Sequence, residues 1–225
     1  LTSPDFSLLH TTARLPTGWR KAAQHWLDTA DCPERMEYIL VTDEPLVFEP
    51  IFPITRYGVN TERKSNVYGW NKAAQISTGK VLITLADDWF SPLHWDSRLW
   101  HVIDYSLKTK PTNRLVIAVD NCDNSLGLIP HAIVTREYYE SFGYMFHPDY
   151  EGLMSDVEFT EVAYAADAVV DATFLKFPHL NPEEGSTDWD DVYRLHRGPE
   201  KLAEGQRIFV KRKSQGFPRT VNAAI

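Results

Sequence analysis

Asp87 and Asp88 lie side by side immediately after the apolar run Val81 to Leu85. Two adjacent carboxylates raise one another's pKa unless water or a cation relieves the repulsion. An oxygen-only ligand set favours Mg2+ or Mn2+, ions commonly held by one or two carboxylates together with nucleotide phosphates. The competing reading makes the pair the acidic first turn of a following helix, with Pro92 inside that turn. Asp43, at the end of another apolar run, Met36 to Val41, is either a turn acid or a group placed to meet a ribose or base. Arg63 and Lys64 could face a phosphate or nucleobase, or form a solvated charge pair.

These side chains need elements to hold them. Asn66 can cap a helix whose Ala73, Ala74 and Ile76 share a face, and Gly79 is of the type that closes a helix in left-handed geometry. Val81 to Leu85 then suits a strand buried on both faces of a parallel sheet. Ligands bind at the carboxyl edge of such sheets, which is where Asp87 and Asp88 fall. Phe6 to Thr11, a helix over Trp19 to Leu27, and Met36 to Val41 form a βαβ pattern, so Asp43 stands on the same edge. A short strand is expected near Ile54 to Tyr57. A helix follows through Trp95, Leu99, Val102 and Ile103, on which His94 and His101 find no third ligand.

Leu115 to Val119 reads as another buried strand, Leu128 to Val134 as a strand containing His131, and Arg136 to Phe142 as a helix stopped by Gly143. An irregular aromatic loop, Tyr144 to Leu153, leads into a helix beginning Ser155-Asp156-Val157-Glu158. There Ser155 and Glu158 match a capping box. Ala168 to Phe174 is a late strand. The expected organisation is one α/β domain over residues 1–180, with a mixed, mostly parallel central sheet flanked by helices. A polar, Gly- and Pro-containing cover segment and tail follow over 181–225 and carry a basic run, Arg207 to Lys213.

The net charge of −8 lacks the basic surplus that general nucleic-acid binding needs, so no nucleic-acid polymer is expected as a partner. Two distant cysteines, Cys32 and Cys122, form neither a disulfide framework nor a zinc site and point to a reducing compartment. No membrane span, signal-like leader or Asn-x-Ser/Thr acceptor is visible, and the expected location is the cytoplasm, or a host's cytoplasm if the source is viral. The sequence opens on Leu1 rather than Met and closes on a weakly patterned stretch, Arg219 to Ile225, as an excised domain would.

Taken in order, several features resemble the nucleotide-sugar glycosyltransferases of the GT-A fold, above all the family 2 inverting enzymes. They are Thr11-Thr12-Ala13-Arg14, Asp43, Asn71-Lys72-Ala73-Ala74 before Ser77-Thr78-Gly79, Leu85-Ala86-Asp87-Asp88, His131 to Val134 running into Arg136-Glu137, and Ser155-Asp156. The resemblance implies a Mn2+- or Mg2+-dependent transfer of a sugar, from a UDP-sugar or similar donor, to the hydroxyl of a glycan or other acceptor with inversion. It implies that Thr11, Thr12, Arg14, Asp43, Asn71, Lys72 and Asp87 serve the donor. Asp88 would bind the metal, with Asp87 on the ribose, a metal-bound water or the metal itself; His179 would resemble a C-terminal histidine that completes the metal site, against the reading of an ordinary loop histidine; and Asp156 would be the catalytic base. Two departures stand out. Leu85 occupies the place of an acid in the common turn, and Ser155 precedes a lone Asp156 where the family has two acids. The alternatives are a nucleotidyltransferase on a similar sheet, poorly matched by the glycine-poor Thr12 to Trp19, and a non-catalytic carbohydrate-binding module using the seven tryptophans for stacking.

Overall fold

The structure, a computed structural model, describes residues 4–61, 65–123, 127–180 and 182–219. Arg63, Lys64, Asn181 and the stretch 220–225 lie outside the described residues. Strands β1 (Phe6–Thr12), β2 (Met36–Thr42), β3 (Thr55–Val59), β4 (Val81–Leu85), β5 (Val116–Asp120), β6 (Ile133–Thr135) and β7 (Val169–Lys176) form one sheet in the order β3-β2-β1-β4-β6-β5-β7. β6 runs antiparallel to β4 and β5, and the other pairings are parallel. The fold is therefore α/β with a mixed, mostly parallel sheet.

Alternation along the strands builds two cores. Phe6, Leu8, Tyr38, Leu40, Ile83 and Leu85 face the tryptophans of α1 (Arg20–Asp28) and α3 (Trp95–Thr109). Leu9, Ile39, Val41 and Leu82 face the other way, onto α2 (Asn66–Ile76), α4 (Arg136–Phe142) and α5 (Ser155–Ala165). All seven residues of β2 and all five of β4 are buried, which is why both read as continuous apolar runs.

Several local expectations are corrected. The cap of α2 is Ser65, whose hydroxyl accepts the Tyr68 N–H, rather than Asn66. Gly79 is not left-handed. A Cβ there would lie 2.4 Å from Ser7 Oγ and 2.8 Å from the Phe6 carbonyl carbon, so the glycine serves close packing beneath β1. Pro92 precedes α3 by three positions instead of sitting in its first turn. Of Leu128 to Val134 only the end is strand. Pro130 has no N–H to offer, and the Ala132 N–H goes to Thr84 Oγ1 at 3.0 Å. The capping box also fails. Met154 at φ 74° precedes α5, Ser155 Oγ donates back to Gly152 O at 2.6 Å, and Glu158 is drawn away to Arg212.

That last contact fixes the C-terminal part. α6 (Asp191–His196) and α7 (Pro199–Ser214) follow a short 3-10 turn at Pro182–Glu184. Arg212 of α7 gives a two-pronged ion pair to Glu158 at 2.7 and 2.8 Å, with both side chains about 95% buried. Gly205 lets α7 approach, since a Cβ there would stand 2.4 Å from Leu153 O. The basic run Arg207 to Lys213 is thus the second half of a docked helix.

Candidate active site

Successive strands depart to opposite sides between β1 and β4: the chain moves from β1 to β2 and β3, then returns through α2 to place β4 on the other flank. Such a switch point opens a crevice at the carboxyl ends of the strands. The loops after β1, β2, β4 and β7 bring Arg14, Asp43, the Asp87-Asp88 pair and His179 to this edge.

Asp87 is held from three sides. His10 Nε2 lies 3.0 Å from its Oδ1, while Thr12 Oγ1 at 2.7 Å and Arg14 Nη1 at 3.2 Å donate to Oδ2. His10, fully buried, meets Tyr38 Oη through Nδ1 at 2.7 Å. Burial, followed by the charge of Asp87, raises the Tyr38 pKa well above its ordinary value, so the phenol keeps its proton. The proton-bearing Nε2 of His10 then points at Asp87. Burial disfavours the charge on Arg14, but its bond to Asp190 (Nε to Oδ2, 2.7 Å) and the charges of Asp87 and Asp88 outweigh that and raise its pKa.

Asp88 is treated differently. Its Oδ2 accepts a hydrogen bond from the Tyr193 hydroxyl of α6. Its Oδ1 is buried without a hydrogen-bond partner and stands 3.8 Å from His179 Nε2. The other nitrogen of His179 lies 3.4 Å from Asp123 Oδ2, an arrangement that orients the ring. A buried, unpartnered carboxylate oxygen beside an imidazole nitrogen is a donor set that suits a divalent cation, although no group of three or more His, Cys, Asp or Glu side chains gathers for one among the described residues. Asp87, with both oxygens engaged, is the less available of the two acids.

Two cavities adjoin here. One, of about 160 Å3, is lined by Thr11, Thr12, Arg14, Asp43, Asp87 and Asp88, with Tyr193 closing one side. The other, about 470 Å3, contains Asp156 with Asp149 and Glu151 on its wall. Asn66, Trp70, Trp89, His179, His196 and Arg197 line both, so they surround the junction. The helix start would lower the pKa of Asp156, but burial is the larger influence and raises it, against the opposing Val157 N–H bond. Beneath the junction, His131 packs tilted against Trp89 at 4.3 Å between ring centroids and stays neutral, its pKa lowered by burial to about 3.

The structure therefore brings Thr11, Thr12, Arg14, Asp43, Asp87, Asp88 and His179 to one cavity and Asp156 to the adjoining one. Two expected donor residues go elsewhere. Asn71 is buried and spends its amide on the aromatic loop, donating to Phe146 O at 2.8 Å and accepting from the Met145 and Phe146 N–H groups. Lys72 is exposed beside β3 and lines neither cavity. Sequence reasoning missed His10, Asp123, Asp190 and Tyr193. His10 carried a signal: it is two residues from Leu8 and two from Thr12, hence on the face that meets Asp87. Asp190 and Tyr193 carried none, being 176 and 105 positions from Arg14 and Asp88.

The sequence matches no family model and no curated protein. Its structure is similar to mannosyltransferase PcManGT from Pyrobaculum calidifontis, solved with GDP-Man and Mn2+, at 14% identity and TM-score 0.62, over 93% of this chain and 65% of that one. It is similar to S. aureus TarS 1-349 at 13% identity and TM-score 0.63, over 98% and 76% of the two chains. The same fragment in complex with UDP-GlcNAc gives 13% identity and TM-score 0.61, over 91% and 65%. Against a longer S. aureus TarS chain the present one spans 43% of the length. The chain has a GT-A-like fold, shared with this mannosyltransferase and with TarS.

Proposed function

We propose that the chain transfers a sugar from a nucleoside-diphosphate sugar, UDP-linked before others, to an acceptor hydroxyl with inversion, assisted by Mn2+ or Mg2+. The observation that carries this reading is the division of the acids between two joined cavities: Asp43, Asp87 and Asp88 in the smaller, Asp156 in the larger. Asp88 and His179 would hold the cation. When bound, it supplies compensation for negative charge on a departing diphosphate.

The remaining work falls to this chain's own residues. Asp43, half-buried at the end of β2, meets the ribose or base. Asp87, fixed by His10, Thr12 and Arg14, keeps the loop after β4 in one geometry. The acceptor enters the larger cavity, whose wall carries Asp149, Glu151 and Asp156. Asp156 takes the acceptor proton while the hydroxyl oxygen attacks the anomeric carbon from the face opposite the diphosphate. The raised pKa of Asp156 makes it a stronger base than an exposed aspartate. The fold supports the reading, since PcManGT was solved with GDP-Man and Mn2+ and TarS with UDP-GlcNAc.

A panel of nucleotide sugars is incubated with the chain, with and without Mn2+, and released nucleotide is measured. The expected result is sugar-dependent release of UDP that needs the metal and is abolished in a folded Asp88→Ala variant. Pyrophosphate release from a nucleoside triphosphate would replace this reading with nucleotidyl transfer, and sugar binding without turnover would replace it with a binding module.

A further inference from the structure

The two acids after β4 are joined through the C-terminal segment by a closed circuit of polar contacts. Asp87 Oδ2 accepts from Arg14 Nη1 at 3.2 Å, and Arg14 Nε donates to Asp190 Oδ2 at 2.7 Å. Asp190 is the N-cap of α6, and its Oδ1 accepts the Tyr193 N–H at 2.8 Å. The Tyr193 hydroxyl returns to Asp88 Oδ2, one residue from the start.

The circuit is rigid where it matters. The Tyr193 ring lies under the Arg14 guanidinium at 5.0 Å from its centroid and near that of Arg197 at 5.8 Å. A carboxylate gripped at one oxygen cannot swing the other away. With Oδ2 held, Oδ1 of Asp88 stays buried and directed at the His179 side of the crevice. Beyond this circuit α6 meets the loop after β7 through the second contact of the Tyr193 hydroxyl, Leu180 O at 3.1 Å, while Asp191 and Leu195 are exposed and the Arg194 ion pair is local, to Asp191.

We propose that Tyr193 is a positioning residue for Asp88: docked by the Arg14–Asp190 pair, its hydroxyl holds one carboxylate oxygen so that the other faces a divalent cation. The metal-dependent part of donor binding then requires α6, and the C-terminal segment belongs to the site. This inference rests on the reading of Asp88 and His179 as the cation's holders.

The test uses the full chain and calorimetric titration with UDP, with and without Mn2+. Tyr193→Phe removes only the hydroxyl, and Asp190→Asn keeps the helix cap while discharging the pair with Arg14. In Tyr193→Phe the gain in UDP affinity conferred by Mn2+ should fall roughly tenfold or more, the range seen for partners of metal ligands. The gain is taken against each variant's own UDP affinity without metal, and the thermal midpoint of the metal-free protein checks that the variant is folded. Asp190→Asn should lose less, in the same direction. A Phe variant whose Mn2+-dependent gain equals the parent's overturns the positioning role. A larger gain overturns it too, and makes the hydroxyl a stopper that the cation must displace. A parent with no Mn2+-dependent gain overturns the reading of the metal site, and this inference with it.

Discussion

Replacing Asp156 with Asn separates proton transfer from everything else that residue does. The side chain is not the N-cap of α5: Met154 precedes the helix and no side chain caps it. Asn can still accept the Val157 N–H that Asp156 Oδ1 accepts at 3.0 Å. The carboxyl's raised pKa means the folded protein favours its neutral form, so ionising it costs stability as pH rises through the folded pKa. A neutral amide at pH 7 therefore removes an unfavourable charge, and the thermal midpoint should hold or rise slightly. Loss of a general base lowers rates by roughly two to four orders of magnitude, about 3–5 kcal/mol of transition-state stabilisation. The assay is steady-state transfer with the donor found in the screen, alongside UDP affinity. The variant should bind UDP as the parent does and transfer sugar at 1% of the parental rate or below, taking ~1% as the least severe of those losses. In the parent, transfer should fall as pH drops through the Asp156 pKa, at a pH above the ordinary aspartate value of 3.8. Near-parental transfer by the Asn variant would refute the base assignment. Glu158 is not a substitute, being buried and paired with Arg212, which leaves Asp149 and Glu151 on the same cavity wall.

Three further outcomes are expected. Asp43→Ala should weaken UDP binding roughly tenfold, the loss of a hydrogen bond to a charged group, while leaving inorganic pyrophosphate with Mn2+ unaffected; equal UDP affinity would make Asp43 a turn acid. Arg212→Ala strands the buried Glu158 carboxylate with only the Tyr150 hydroxyl at 2.8 Å and should cost about 3–5 kcal/mol in urea unfolding, whereas Glu158→Leu with Arg212→Met should lose far less. If the single and double variants unfold alike, the pair does not hold α7. Adding UDP and Mn2+ should increase amide-exchange protection over residues 182–198, while α7, already pinned, changes little; uniform protection throughout would make the whole segment a fixed part of the surface.

Much of the scaffold is legible in the chain because its causes are local. β2 and β4 are buried on both faces, so their apolar runs announce themselves, and the acids that follow them fall on the ligand edge as a consequence of parallel pairing. Gly143 stops α4 in left-handed geometry as its type suggests. Where a local rule failed, a distant partner outbid it. Glu158 left its capping role because Arg212, 54 positions on, supplies two charge-assisted bonds in place of one. Asn71 lines neither cavity, its amide being spent on the loop at Met145 and Phe146. The resemblance gave Asp88 the metal and Asp87 the ribose, but the partners that separate the two neighbouring aspartates could not be read from the sequence, where they are the same residue twice. Only the folded chain, by crossing His10, Thr12 and Arg14 over one and Tyr193 over the other, leaves Asp88 alone with an open oxygen, because hydrogen bonds form between groups that tertiary packing brings within reach.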